Sequence, residues 1–239
     1  MLKDPVCQKD LDPQDAHAVA IQGGRAFYFC SPDCRARFDK NPGRYAAPEL
    51  GIRISVGVMG SASGELTQAQ KDSAYALGHE TARRGFTLVT GACPGLPYES
   101  ARGHWDSNGL SIGISPALSL REHLQKYASP IDVFDMLVYT GSGLMGREVT
   151  NIHSSDMVVI VGGQSGTLGE FAIAFDEGKL IGVLSSTGGI TGLIPELVRH
   201  MTKPTGAHVL FDDDADKLID RMVEAYEGSH FRRPTDLYG

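Results

Sequence analysis

Asp156-Met-Val-Val-Ile-Val-Gly-Gly-Gln-Ser-Gly-Thr-Leu-Gly-Glu170 is the stretch that decides how this chain folds. Met157 to Val161 is a continuous apolar run, the pattern of a strand buried on both faces. It breaks into Gly162, Gly163, Gln164, Ser165, Gly166 and Thr167, and a helix is predicted from about Leu168 to Glu177. A strand that ends in glycines and feeds a helix offers bare N–H groups and the positive end of a helix dipole to an anion. The expectation is a phosphate cradle at Gly162, Gly163, Gly166 and Thr167. Glu170 is expected in the first helical turn, where a carboxylate suits the dipole.

Around that stretch, from Ile52 onward, strands alternate with helices. Strands are predicted over 52–59, 86–90, 110–114, 134–139, 156–161, 179–184 and 207–211. Helices are predicted near 67–84, 97–108, 119–127, 144–154, 167–177, 190–201 and 214–227. About seven strands in this rhythm make a doubly wound, Rossmann-like α/β fold with a parallel sheet, and ligands bind beyond its carboxyl ends. Those ends carry small residues: Gly60-Ser61, the turn from Gly91 to Gly95, Thr140 to Glu148, the opening stretch, and Ser185 to Gly189. Five such turns along one edge mark a ligand site.

A chain of 239 residues suits one large domain, or a medium domain with a small appendage. Its 29 glycines fit many strand-to-helix turns, and its net charge of −7 argues against a nucleic-acid partner. No segment approaches the ~18 uninterrupted apolar residues of a membrane span. The start MLKDPVCQKD does not read as a signal peptide, so a cytoplasmic protein without membrane contact is expected. There its four cysteines stay reduced, which favours metal binding over disulfides.

Residues 1–48 have a different texture, with Asp4-Pro5-Val6-Cys7, Phe27-Tyr28-Phe29-Cys30-Ser31-Pro32-Asp33-Cys34, then Phe38, Pro42 and Tyr45. So short a segment makes little core of its own, and a metal clip is a common remedy. Cys30 and Cys34 are close enough for one turn or helix start to join them, and Cys7 returns at the end of a hairpin through Gly23-Gly24. Three thiolates suit zinc or another soft ion. The other reading is three small buried hydrophobes. These residues resemble the YHS domain, a treble-clef-like metal-binding module, with Lys9 where a Met is familiar. His17 is the candidate fourth ligand. Ala46 to Gly51 reads as a linker, which gives a module over 1–48, a nucleotide-binding domain over 51–227 and a tail over 228–239.

Residues 51–227 resemble the LOG family of the SLOG superfamily, proteins often labelled "lysine decarboxylase-like". The resemblance rests on Gly162-Gly163-Gln164-Ser165-Gly166-Thr167-Leu168-Gly169-Glu170, on Arg147 nine positions before Asp156, on Gly60-Ser61, and on Gly91 to Gly95. It implies a nucleoside 5′-monophosphate phosphoribohydrolase. Arg147 and Glu170 would be catalytic, and Gly60, Ser61, Gly91, Gly162, Gly163, Gly166 and Thr167 would bind the nucleotide. No metal would be required for hydrolysis, and a homodimer would meet through the helix around 144–154, with Val149 and Ile152. Three positions depart from the pattern: Val161 replaces a proline, Glu148 a residue that is often basic, and Gly169 an acid. The texture lies close to the branch holding molybdenum-cofactor carrier proteins. The alternative is therefore a non-catalytic carrier or sensor of a nucleotide or molybdopterin-type ligand. Glu148 is open between a site role and a pair with Arg147. Cys93 is expected as a packed loop thiol, and Trp105 as helix packing.

Overall fold

The computed structural model describes residues 2–228 and 230–232. It opens with a small hairpin, β1 (Leu2–Lys3) against β2 (Asp10–Leu11). A second hairpin, β3 (Ala18–Gln22) and β4 (Arg25–Phe29), pairs Ala18 with Phe29 and Gln22 with Arg25. Its turn is Gly23-Gly24, at φ +55 and +71, the two left-handed positions that a two-residue hairpin turn requires. Helix α1 (Pro32–Lys40) follows, its first turn fixed by Ser31, whose hydroxyl accepts from the Cys34 N–H at 3.2 Å. The short α2 (Pro42–Tyr45) completes the segment.

Here the structure departs from the sequence expectation. The segment read as a linker contains a 3-10 turn at Pro48–Leu50, and the strand predicted over 52–59 is two strands. Ile52–Arg53 (β5) joins β4 antiparallel, and Ser55–Gly60 (β6) opens the parallel sheet. Ile54 N–H donates to the Gly24 carbonyl at 2.8 Å, which holds the crossover against the hairpin turn. An apolar run shows that a strand forms, and only the long-range partner decides which sheet it enters.

The remaining strands are β7 (Thr87–Thr90), β8 (Leu110–Ser115), β9 (Met136–Tyr139), β10 (Met157–Val161), β11 (Leu180–Leu184) and β12 (His208–Asp212). The helices are α3 (Gln68–Arg83), α4 (Leu96–Asp106), α5 (Leu120–Gln125), α6 (Gly143–His153), α7 (Ser165–Asp176), α8 (Ile194–His200) and α9 (Ala215–Gly228). The seven strands β6 to β12 lie in the order β12-β11-β10-β6-β7-β8-β9, all parallel. The order reverses between β6 and β10, so the switch-point crevice opens beyond Gly60 and Val161, which are register partners. Of the tail expected over 228–239, Gly228 ends α9 and His230–Arg232 forms a 3-10 turn; the rest lies outside the described residues.

All five residues of β10 are fully buried, as its apolar run requires. Met157, Val159 and Val161 pack with Leu77 of α3 and Met222 of α9. Val158 and Ile160 pack on the other face with Ile152 of α6 and Phe171 of α7. This is the period-two alternation of a strand, here with both faces apolar.

The cysteine-bearing segment sits at the amino edge of the parallel sheet. Its Val19, Ala26 and Tyr28 belong to the same apolar cluster as Ile54, Val56 and Tyr226, while Phe27, Phe29 and Phe38 form a separate one. Ile21 N–H donates to Glu227 Oε1 at 2.6 Å, and the Tyr28 and Tyr226 hydroxyls lie 3.4 Å apart. The switch-point crevice is at the opposite edge, about 20 Å away along the six residues of β6.

Candidate functional site

At the crevice lies a pocket of about 260 Å³. The end of β6 lends Gly60 and the turn after it Ser61, the turn after β7 Gly91 and Cys93, α6 Arg147 and Glu148, and α7 Ser165, Gly166, Thr167 and Glu170. Of the residues expected at the nucleotide site, all line the pocket except Gly162 and Gly163.

Those two glycines act differently from the sequence expectation. Gly162 N–H donates to Thr187 Oγ1 at 2.8 Å, and Gly163 N–H to Ser61 Oγ at 2.6 Å. They are not bare donors for an anion. Their φ values of +60 and +97 let the chain double back so that α7 starts inside the crevice. Ser61 in turn ties three loops together, since its carbonyl also accepts from Leu96 N–H at 2.9 Å and its N–H donates to Val161.

The N–H groups without a helical partner lie a few residues on. Helix α7 begins at Ser165, earlier than expected, and no side chain caps it. Its first i→i−4 bond runs from Leu168 N–H to the Gln164 carbonyl at 2.9 Å, so the N–H groups of Ser165, Gly166 and Thr167 precede the ladder at the pocket wall. Glu170 consequently sits in the second turn and not the first. Its carboxyl is 6% exposed, and burial raises its pKa to about 7; nearby Arg147 opposes this and Glu148 adds to it.

Arg147 is buried, and its Nε has no hydrogen-bond partner. Its guanidinium lies over Gly91, where a Cβ would fall 1.4 Å from Nη1. Gly91 therefore serves the site by making room for the arginine. Glu148 makes no direct hydrogen bond or ion pair with Arg147, yet the nearby guanidinium favours its ionised form against the burial that raises its pKa. Its Oε2 is 3.3 Å from the position a Cβ would take on Gly169. Two departures from the familiar pattern thus meet in space: a carboxylate from α6 lies beside the place where α7 lacks one. Cys93 lies near Arg147 in the pocket wall, and burial pushes its thiol up. Trp105, expected to pack, is 44% exposed.

The sequence reading missed Asn151. It is fully buried, its Oδ1 has no partner, and it is close enough to Glu170 to favour the ionised form. Its i+4 spacing from Arg147 on a predicted helix was the available signal.

At the other edge, Asp4, Cys7, Cys30 and Cys34 form a group that can hold a metal ion, with ligand atoms all within 4.8 Å of one another. Cys7 comes from the turn between β1 and β2, Cys30 from the end of β4 and Cys34 from α1. The Cys7 and Cys30 sulfurs lie 3.6 Å apart. Tetrahedral coordination with Zn–S bonds of about 2.3 Å places sulfurs roughly 3.8 Å apart, so the donor set fits such an ion. His17, the expected fourth candidate, is not in the group; Asp4 is. Asp4 also shapes the site: Oδ1 accepts from Val6 and Cys7 N–H at 2.8 and 3.1 Å, and Oδ2 from Cys30 N–H at 2.8 Å. Its hydrogen bond pushes the Cys30 thiol up to about 12, and burial adds to this. A bound cation reverses that preference by favouring thiolate. Among the described residues, no helix is long and apolar enough to cross a membrane.

Comparison with known proteins agrees with both halves. An uncharacterized protein of Archaeoglobus fulgidus is 33% identical over 140 residues, 59% of this chain and 85% of that one. The structure of the molybdenum cofactor binding protein from Rippkaea orientalis is similar, with a TM-score of 0.60 and 28% identity over 72% of this chain and 96% of that one. The molybdenum cofactor carrier protein of Chlamydomonas reinhardtii is similar too, with a TM-score of 0.58 and 26% identity over 72% and 99%. Residues 2–49 match the YHS domain. Residues 53–219, most of the chain, match the family model of SLOG cluster4, and the chain belongs to the SLOG cluster4 family.

Proposed function

We propose that the pocket binds a nucleotide and hydrolyses its N-glycosidic bond, releasing the free base and ribose 5-phosphate from a substrate such as AMP. The observation that carries this reading is the meeting of Arg147 with Glu170, whose carboxyl titrates at about 7, in the switch-point pocket. In this reaction the C–N bond breaks with its electron pair going to the base, and positive charge grows on the ribose. Ionised Glu170 stabilises that charge and accepts a proton from the attacking water, whose oxygen bonds to the anomeric carbon, and the departing base takes up a proton from solvent. Arg147 and the first N–H groups of α7 hold the phosphate. Gly166 lets the ligand approach the backbone, while Gly60, where a Cβ would lie 2.0 Å from the Val161 carbonyl oxygen, lets β6 and β10 close up beneath it. The cysteine group is read as a zinc site in a reduced, cytoplasmic setting, in a module over 1–48 that is separate from the hydrolytic pocket.

A second reading, non-catalytic carriage of a nucleotide or molybdopterin-type ligand, is supported by the likeness to two molybdenum cofactor proteins. Chromatographic assay of base and ribose 5-phosphate from a panel of monophosphates separates the two readings. The hydrolase releases both products, and Glu170→Gln loses on the order of 10²-fold in rate while still binding nucleotide. Binding without release of base from any substrate gives way to carriage.

A further inference from the structure

Glu148 is the one carboxylate of the pocket that the hydrolytic reading does not use. It is 7% exposed, and no donor among the described residues reaches it. Its Oε1 lies 3.5 Å from the place a Cβ would take on Gly166, and its Oε2 is 3.3 Å from that place on Gly169. The carboxylate is thus laid along the bare flank that Gly166 and Gly169 leave on the first turns of α7. It also lines the pocket. Burial raises its pKa, as it does for Glu170, and the Arg147 charge opposes this at both. With both ionised, two carboxylates and one guanidinium face the cavity, one negative charge in excess before a ligand enters.

A phosphate monoester carries up to two negative charges at neutral pH, and a diester carries one. At the start of α7 the phosphate would sit within about 5 Å of the Glu148 carboxylate. In a medium of intermediate dielectric, one more unit of like charge at that distance costs about tenfold or more in affinity. Removing Glu148 removes most of that penalty.

We propose that Glu148 makes this pocket selective for phosphoryl groups with a single negative charge, so that its substrate class is nucleotides whose phosphate carries a second ester. The inference rests on the reading that α7 and Arg147 hold a phosphate. It changes that reading in one respect: the preferred substrate is doubly esterified, and its hydrolysis releases the base and a ribose 5-phosphate that keeps the second ester, with AMP a weaker ligand of the same site.

Calorimetry at pH 8 with adenosine 5′-monophosphate and its 5′-methyl ester tests it, using the full chain and Glu148→Gln. The wild type should bind the methyl ester about tenfold or more tightly than the monoester, a ranking that needs no variant. In Glu148→Gln the monoester should gain by a similar factor and the gap should close. Equal binding of the two esters by the wild type, or the same gap in both proteins, overturns the role of Glu148 and leaves the phosphate site standing. Binding of neither ester by either protein overturns the phosphate site as well.

Discussion

The guanidinium of Arg147 rests on the bare α-carbon of Gly91: a Cβ there would lie 1.4 Å from Nη1 and 2.5 Å from Cζ. Arg147 is on α6 and Gly91 on the turn after β7, so this contact sets how far the arginine reaches into the pocket. Gly91 is not among the residues with a positive φ, and its backbone accepts alanine. Gly91→Ala should therefore displace the arginine without unfolding the chain. Nucleotide affinity should fall on the order of tenfold to a hundredfold. Adding Gly91→Ala to Arg147→Ala should cost little more, because both remove the same interaction. Full additivity in the double-mutant cycle counts against this.

Glu170 makes stability depend on pH. Its folded pKa of about 7 lies above the ordinary glutamate value of 4.5. Between those values the native state holds a proton that the unfolded chain releases, so stability falls as pH rises from about 4.5 to 7. Above about 7 the loss is complete, on the order of 1–3 kcal/mol. Glu170→Gln should be more stable than wild type at pH 8 by about that much and equal to it near pH 4.5. Denaturant titrations at the two pH values measure the difference, and its absence at pH 8 would refute the assignment.

The metal site is expected to hold about one soft ion per chain, most simply zinc. Elemental analysis should find it in wild type and lose it in Cys30→Ser. Asp4→Ala should also lose it, because that change removes a candidate ligand and the acceptor for three N–H groups. His17→Ala should retain it. Chelation should lower the melting temperature by on the order of 5–10 °C, with residues 2–49 exchanging amide protons first. The parallel sheet should persist, since the face of β10 that packs on α6 and α7 buries a core holding no residue of that segment.

A homodimer remains the expected assembly, with a revised contact face. Ile152 is fully buried in the chain's own core and cannot serve it. Leu144, Met145 and Val149 on α6 are exposed, at 57%, 73% and 39%, on the helix that carries Arg147. Light scattering should give twice the chain mass, and Met145→Lys should shift it toward the monomer. A wild-type monomer at every concentration sinks this expectation.

What the sequence determined by itself was the order of strands and helices and the sheet edge at which the pocket opens. Those follow from periodicities within ten or fifteen residues: the apolar run of β10, the glycine breaks after it, and the amphipathic stretches between strands. The Cys30–Cys34 pair was legible for a similar reason, because a helix start joins cysteines four apart, whereas Cys7 enters from the turn between β1 and β2 and not from the Gly23-Gly24 hairpin. Tertiary structure alone decided the rest. It gave the N–H groups of Gly162 and Gly163 to Thr187 and Ser61, partners 25 and 102 residues away. It put Ile52–Arg53 into the hairpin sheet and made Asp4 the fourth member of the metal group. It also laid Glu148 beside the space left by Gly169. Each of these depends on which distant segment packs alongside. Local propensity says what a segment can become, whereas the burial of a carboxylate or the pairing of an N–H is settled only when the neighbouring chain arrives.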